Sequence, residues 1–398
     1  MSDLFLTGIG HLTTNTGGPI IGAAVRITEG RIVYAGPEGD APKSDSADHI
    51  ECGGRAVIPG FVDSHTHLVF AGDRAAEFAR RLEGASYAEL AASGGGILST
   101  VEATRSASED DLYEAAAARV RRMIASGTTT LEIKSGYGLD VETEIRLLQV
   151  GRRVGDEMPV TVKTTFLGAH AIPPEYRGER AGYLQLLMEE MLPAVAPYAD
   201  YCDVFVEEGA FSVDEARQVF SAAAAHGLEA RVHAEQLTHS GGARLAAEIG
   251  AVSADHLDHA TAEDAVALAE AGVVAVLVPG ASYTLRAPQA PGRMLSEQGV
   301  GIALATDCNP GTSYFESMGL VISLAVVEMG LGVDQAVHAA TRGGALALGL
   351  EDYGLIAPGA VGDVIILDAP DPAHIPYRPA TNLVWKTIKA GRVAAGQT

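Results

Sequence analysis

Apolar and polar positions change rhythm twice along this chain. Up to about Arg55, short apolar runs such as Leu4-Phe-Leu, Ala23-Ala-Val-Arg-Ile and Arg31-Ile-Val-Tyr-Ala are broken by Gly, Pro, Asn and Asp, which predicts strands joined by hairpins. From about residue 56 to 350 the pattern lengthens. Apolar runs rich in β-branched residues fall at 57–63, 128–134, 160–167, 202–206, 228–233, 251–254, 273–278 and 300–305. Helix-like stretches lie between many of them, at 110–126, 142–153, 180–191 and 213–226. Beyond that, 363–368 and 383–393 return to the strand texture of the start.

Strands alternating with helices call for a parallel sheet, and eight of them can close a barrel. The expected fold is therefore α/β, a (β/α)8 TIM-like barrel over residues 56–352. Neither chain end is long enough for a core of its own, so 1–55 plus 353–398 are expected to form one small β-sandwich domain. A doubly wound open sheet is the alternative, but no Gly-x-Gly-x-x-Gly follows a first strand.

Composition narrows the function classes. The 398 residues are 47% hydrophobic and 20% charged, an ordinary globular balance that argues against disorder. A formal net charge of −23 argues against nucleic-acid binding, which needs clustered Lys and Arg. Cys52, Cys202 and Cys308 are odd in number and form no Cys-x-x-Cys, so neither a disulfide framework nor a thiolate metal site is indicated. The first residues lack a signal-peptide pattern and no segment approaches a membrane span. The expectation is a reduced, cytoplasmic protein without nucleic-acid or membrane partners.

Chemistry concentrates where the apolar runs end. The first barrel run finishes in Asp63, Ser64, His65, Thr66, His67. In extended backbone, residues i and i+2 share a face, so both imidazoles can converge on one point, as metal ligands do. A His-x-His pair alone is a weak signal. Here Tyr137, His170, His233, His256 and Asp307 also follow apolar runs, at the strand ends where barrel active sites lie.

These residues resemble the amidohydrolase superfamily, and within it the imidazolonepropionase family. The resemblance rests on Asp63-Ser-His-Thr-His-Leu-Val-Phe-Ala-Gly-Asp-Arg74, Glu132-Ile-Lys-Ser-Gly-Tyr-Gly-Leu139, Thr165-Phe-Leu-Gly-Ala-His170 and Thr306-Asp-Cys-Asn-Pro-Gly-Thr312, and spans nearly the whole chain. It implies that His65, His67, His233 and Asp307 hold one Zn or Fe ion. It implies that Arg74, Tyr137, His170 and Gln236 contact the substrate, that Asn309, Gly311 and Thr312 contact substrate or product, and that Asp307 and His256 move protons. The implied reaction is hydrolysis of the ring amide of 4-imidazolone-5-propanoate to N-formimidoyl-L-glutamate, by a homodimer.

Three positions refine that expectation. Related deaminases carry Glu three residues after the third metal histidine, whereas this chain has Gln236 there. Gln cannot shuttle a proton, which disfavours the alternative of a heterocycle deaminase. A non-catalytic assembly protein would have little need of a filled ligand set. Lys134 is expected to be an ordinary cation in or near the site, and Cys308 a small packed residue.

Overall fold

The computed structural model describes residues 3–42, 47–84 and 95–396. The described residues form two sheets. The terminal sheet contains β1 (Asp3–Leu12), β2 (Ile20–Thr28), β3 (Arg31–Pro37), β4 (Asp48–Glu51) and β5 (Ala56–Pro59). The barrel contains β6 (Phe61–Asp63), β7 (Thr128–Lys134), β8 (Thr161–Ala169), β9 (Tyr201–Val206), β10 (Glu229–Ala234), β11 (Ser253–His256), β12 (Val274–Leu277) and β13 (Ile302–Leu304). The chain then returns to the terminal sheet through β14 (Val364–Leu367), β15 (Val384–Lys389) and β16 (Arg392–Gly396).

The terminal sheet runs β16-β15-β14-β5-β1-β2-β3, with β4 paired to β1. The two ends of the chain meet where β14 lies antiparallel to β5, Val364 opposite Pro59. Leu6, Ile9, Val25, Ile27, Val57, Ile366 and Ile388 interleave in its core, so each terminus supplies apolar surface that the other covers.

The barrel strands neighbour one another in chain order and every ladder is parallel. The circle closes between the residues that follow β13 and β6. Asp307 N donates to His65 O at 3.0 Å and His67 N to Cys308 O at 3.1 Å, flanking a parallel bridge between Thr66 and Cys308.

The helices follow the sequence pattern closely. Glu109–Ala125 starts at Ser108, whose hydroxyl accepts from Asp111 N, and buries Leu112, Ala116, Val120 and Met123, the spacing of one helical face. Asp140 caps Val141–Glu157, and a Ser212–Glu215 capping box starts Val213–Ala225. Two expectations change. The run 57–63 divides at Gly60: Ala56–Pro59 joins the terminal sheet and only Phe61–Asp63 enters the barrel. A Cβ on Gly60 would lie 2.2 Å from Thr129 Oγ1, so only glycine fits this crossing. The stretch 180–191 is helical to Leu186, widens into a π turn over Leu187–Met191, and continues as Leu192–Val195. Pro193, which has no N–H to give the preceding turn, sits just beyond that widening.

Candidate metal centre and active site

The barrel seam brings the ligand-bearing residues together. His65 and His67 follow β6 with their Nε2 atoms 3.3 Å apart. His233, in β10, places its Nε2 3.4 Å from that of His67. Asp307 Oδ1 lies 3.5 Å from the Nε2 atoms of both His65 and His67. His256 ends β11 with its ring centroid 5.2 Å from those of His65 and His233. Asp307 and His256 both sit at positive φ, 52° and 77°, a conformation costly for non-glycine residues and characteristic of functional strand ends.

Three clustered imidazole nitrogens with a carboxylate oxygen beside two of them, all buried, are a donor set suited to Zn or Fe. Their outward atoms fit the same role. His65 Nδ1 is 2.6 Å from Asp255 Oδ2, and His233 Nδ1 is 2.9 Å from Asp203 Oδ2. A carboxylate at Nδ1 fixes the proton there and leaves Nε2 with a free lone pair. Burial first, then the charge of Lys134 or neighbouring imidazoles, holds His65 and His67 well below the usual histidine pKa, so both are neutral, as metal ligation would require.

Beneath the histidines lies a set of buried charges that the sequence pattern alone did not expose. Lys134 Nζ is 2.8 Å from Glu132 Oε1, 2.8 Å from Asp203 Oδ2 and 3.5 Å from Asp255 Oδ2. Arg231 reaches Asp255 at 3.3 Å and donates to Ser64 O at 2.8 Å. Every side chain in this set is fully buried. Burial opposes the charge of Lys134, but Asp203 and Glu132 outweigh it and raise its pKa. Burial likewise opposes Asp255, which Arg231 and Lys134 nevertheless hold well below the usual carboxylate range. The signal available in sequence was period-two polarity inside apolar runs: Glu132 and Lys134, Arg231 and His233, Ser253 and Asp255. Lys134 is thus a fully buried cation beneath the histidines, paired with three carboxylates.

Tyr137 and His170 form a wall beside His67. Tyr137 is buried with its ring 5.9 Å from His67 and 5.5 Å from His170. Its loop is held by Glu144, which accepts from Gly136, Gly138 and Leu139 N. His170 is near-parallel to His67 at 5.2 Å and 3.0 Å through Nδ1 from Gly136 O. That contact puts the proton on Nδ1, and burial lowers the His170 pKa to about 4. Gln236 is buried after β10, while Glu235 beside it accepts from Gly241 and Ala243 N. Glu235 therefore anchors the loop that follows Gln236.

Arg74 lies against Gly311, where a Cβ would fall 2.3 Å from its Nη1. Its Nε and Nη2 engage Glu77. Asn309 Oδ1 accepts from Gly311 N and Thr312 N at 2.8 Å, and its Nδ2 donates to Asp307 O at 2.7 Å. The amide of Asn309 thus ties the Gly311–Thr312 turn to Asp307. Arg119 sits under this wall, its guanidinium 3.6 Å from the Phe70 ring centre and donating to Leu68 O and Phe70 O. Cys308 is buried, which raises its thiol pKa, consistent with inert packing. Cys52, Cys202 and Cys308 are all unpaired.

The sequence profile of the amidohydrolase family matches residues 89–395. Imidazolonepropionase of Myxococcus xanthus is 47% identical over 385 residues, covering 95% of this chain and 91% of that protein. Imidazolonepropionase of Symbiobacterium thermophilum is 47% identical over 411 residues, covering 98% and 97%. Among solved structures, 5-methylcytosine deaminase from Klebsiella pneumoniae superposes with a TM-score of 0.78 at 17% identity, covering 99% of this chain and 98% of the other. That likeness speaks for the barrel and its terminal sheet only. Over nearly its whole length, the chain belongs to the amidohydrolase family, within its imidazolonepropionase branch.

Proposed function

We propose that this chain hydrolyses the ring amide of 4-imidazolone-5-propanoate, giving N-formimidoyl-L-glutamate. The observation that carries this is the convergence of three histidine nitrogens and Asp307 at the barrel seam, in a chain 47% identical to imidazolonepropionases over most of its length. One Zn or Fe ion per chain, held by His65, His67, His233 and Asp307, would lower the pKa of a bound water to about 7 and polarise the ring carbonyl.

The chain's own residues supply the rest. Asp307 would ligate through one oxygen, and its second oxygen suits taking a proton from the attacking water and delivering it to the leaving ring nitrogen. Water adds to the carbonyl carbon, the carbon–nitrogen bond breaks, and the proton reaches that nitrogen, which balances the reaction. His256 is held neutral by burial and its Nδ1 lacks a partner among the described residues; beside the reacting carbonyl it serves as hydrogen-bond donor or proton carrier. Tyr137, His170 and Gln236 orient the imidazolone ring. Arg74 anchors the propionate, with Asn309, Gly311 and Thr312 shaping that end of the pocket. The reading includes a homodimer in the cytoplasm. Among the described residues, no helix is long and apolar enough to cross a membrane.

The test is metal content of the purified protein together with absorbance-followed turnover of freshly generated substrate. About one Zn or Fe per chain and chelator-sensitive ring opening are expected. Bound metal with ammonia released from an aminated heterocycle, and no ring opening, would replace this reading with a deaminase.

A further inference from the structure

The helix Ala75–Leu82 carries a second guanidinium toward the place where Arg74 meets Gly311. Arg81 Nη1 is 3.4 Å from Gly311 O, a long contact. Its Nη2 is buried and has no hydrogen-bond partner among the described residues. The guanidinium also lies 5.5 Å from the Phe78 ring centre, which helps fix its direction.

Glu77 stands between the two arginines, and its oxygens are already taken. Oε2 accepts from Arg74 Nε and from Gly96 N, and Oε1 accepts from Arg74 Nη2. Among the described residues the Glu77 carboxylate makes its close ion pair with Arg74, and Arg81 feels it only as a nearby charge. Two cations therefore share one anion. Arg74 keeps Nη1 over Gly311 without a hydrogen bond among the described residues, and Arg81 keeps Nη2. A guanidinium always carries its charge, and a sheltered N–H without an acceptor is unfavourable. The unpartnered N–H groups of these two guanidinium groups, both beside Gly311, thus suit an anion with two oxygens.

We infer that Arg81 is a second carboxylate-recognition residue, and that Arg74 and Arg81 together select substrates ending in a carboxylate. The inference rests on the proposed ring-opening reaction, whose substrate carries a propionate. Arg74 and Arg81 both bind that group beside Gly311. The absence of a side chain at 311 is what lets the Arg74 guanidinium lie there.

The experiment compares 4-imidazolone-5-propanoate with its neutral propionamide analogue, on wild-type protein, Arg81→Gln and Arg81→Lys. Metal content and thermal midpoint are followed in parallel. For Arg81→Gln, KM for the propionate rises about tenfold while kcat changes less than about twofold, as loss of a charged hydrogen bond used equally in ground and transition states requires. KM for the propionamide stays put, and Arg81→Lys lies between. An unchanged KM for the propionate, or equal rises for both substrates, overturns the assignment of Arg81 and leaves the reaction standing. If Arg81→Gln does not accumulate folded, Arg81→Lys decides by the same selectivity. Wild-type protein that opens neither ring overturns the underlying reaction, and the inference with it.

Discussion

Replacing Lys134 with methionine tests whether the buried charges beneath the ligands act as one electrostatic unit. The native set holds Glu132, Asp203 and Asp255 against Lys134 and Arg231. Methionine keeps most of the volume, so the change removes a charge rather than opening a cavity. Two carboxylates lose a partner at 2.8 Å and a third loses one at 3.5 Å. Breaking a buried ion pair from one side costs about 3–5 kcal/mol. With an unfolding entropy of about 2.1 cal/mol/K per residue, that lowers the thermal midpoint of a chain this size by about 4–6 °C. Metal affinity falls about 10–100-fold, because Asp203 and Asp255 no longer sit at fixed positions behind His233 and His65.

The pH dependence separates charge from packing. In the native protein Asp203 and Asp255 have folded-state pKa values lowered by their partners, after burial is overcome. Their contribution is present above the unfolded carboxylate pKa and is lost only as pH falls through the depressed folded values. Without Lys134 those folded values rise, so protonation relieves the variant first. The stability gap between wild type and variant therefore narrows as pH falls from 7 toward 4. Chemical denaturation followed by far-ultraviolet circular dichroism, on metal-free protein, measures it. A gap below about 1 kcal/mol, the range of a surface pair, or one constant across that pH range, would refute the electrostatic account.

Other outcomes follow from single contacts. Asp255→Asn frees the Nδ1 side of His65 and lowers metal affinity about 10–100-fold, read by competition with a chromophoric chelator. Glu144→Gln keeps one oxygen for Gly138 and Leu139 N but sets an amide N–H against Gly136 N; KM rises several-fold through Tyr137 and stability drops by about 1–3 kcal/mol. Gly311→Ala drives a Cβ into Arg74 Nη1, raising KM while the thermal midpoint hardly moves, since the arginine tip can swing away. Asp258 is buried and its pKa is pushed up to about 7, so the folded state loses relative stability as pH rises from the unfolded value through 7. Asp258→Asn is accordingly neutral near pH 4 and more stable than wild type by on the order of 2 kcal/mol at pH 8; equal gaps at both pH values would contradict this.

The elements most legible in sequence were those where local pattern and tertiary role agree. Leu112, Ala116, Val120 and Met123 mark a helix face whether or not its partner is known, and Ser108 marks its start. His65 and His67 announce themselves by alternation. The division at Gly60 was not legible, because the apolar run continues through it and only the contact with Thr129 reveals the turn. Asp203, Asp255 and Glu132 stayed hidden for another reason. A charge inside a buried strand has meaning only once its partner is found, and Lys134 lies 69 residues from Asp203. Asn309 stands between these cases: its motif marked the place, while the turn it builds needed coordinates.

The barrel seam has a consequence for how the molecule is made. His65, His67 and Asp307 meet at the join between the first and last barrel strands, so a growing chain cannot hold the complete site until residue 307 has left the ribosome. If these residues hold the proposed ion, its full binding follows closure of the barrel, and the ion would act as a clasp across that join. Hydrogen exchange at the amides of His67 and Asp307 should slow markedly on metal addition, because opening the seam must then release the ion. Equal exchange rates with and without metal would show that the join holds by its strands alone.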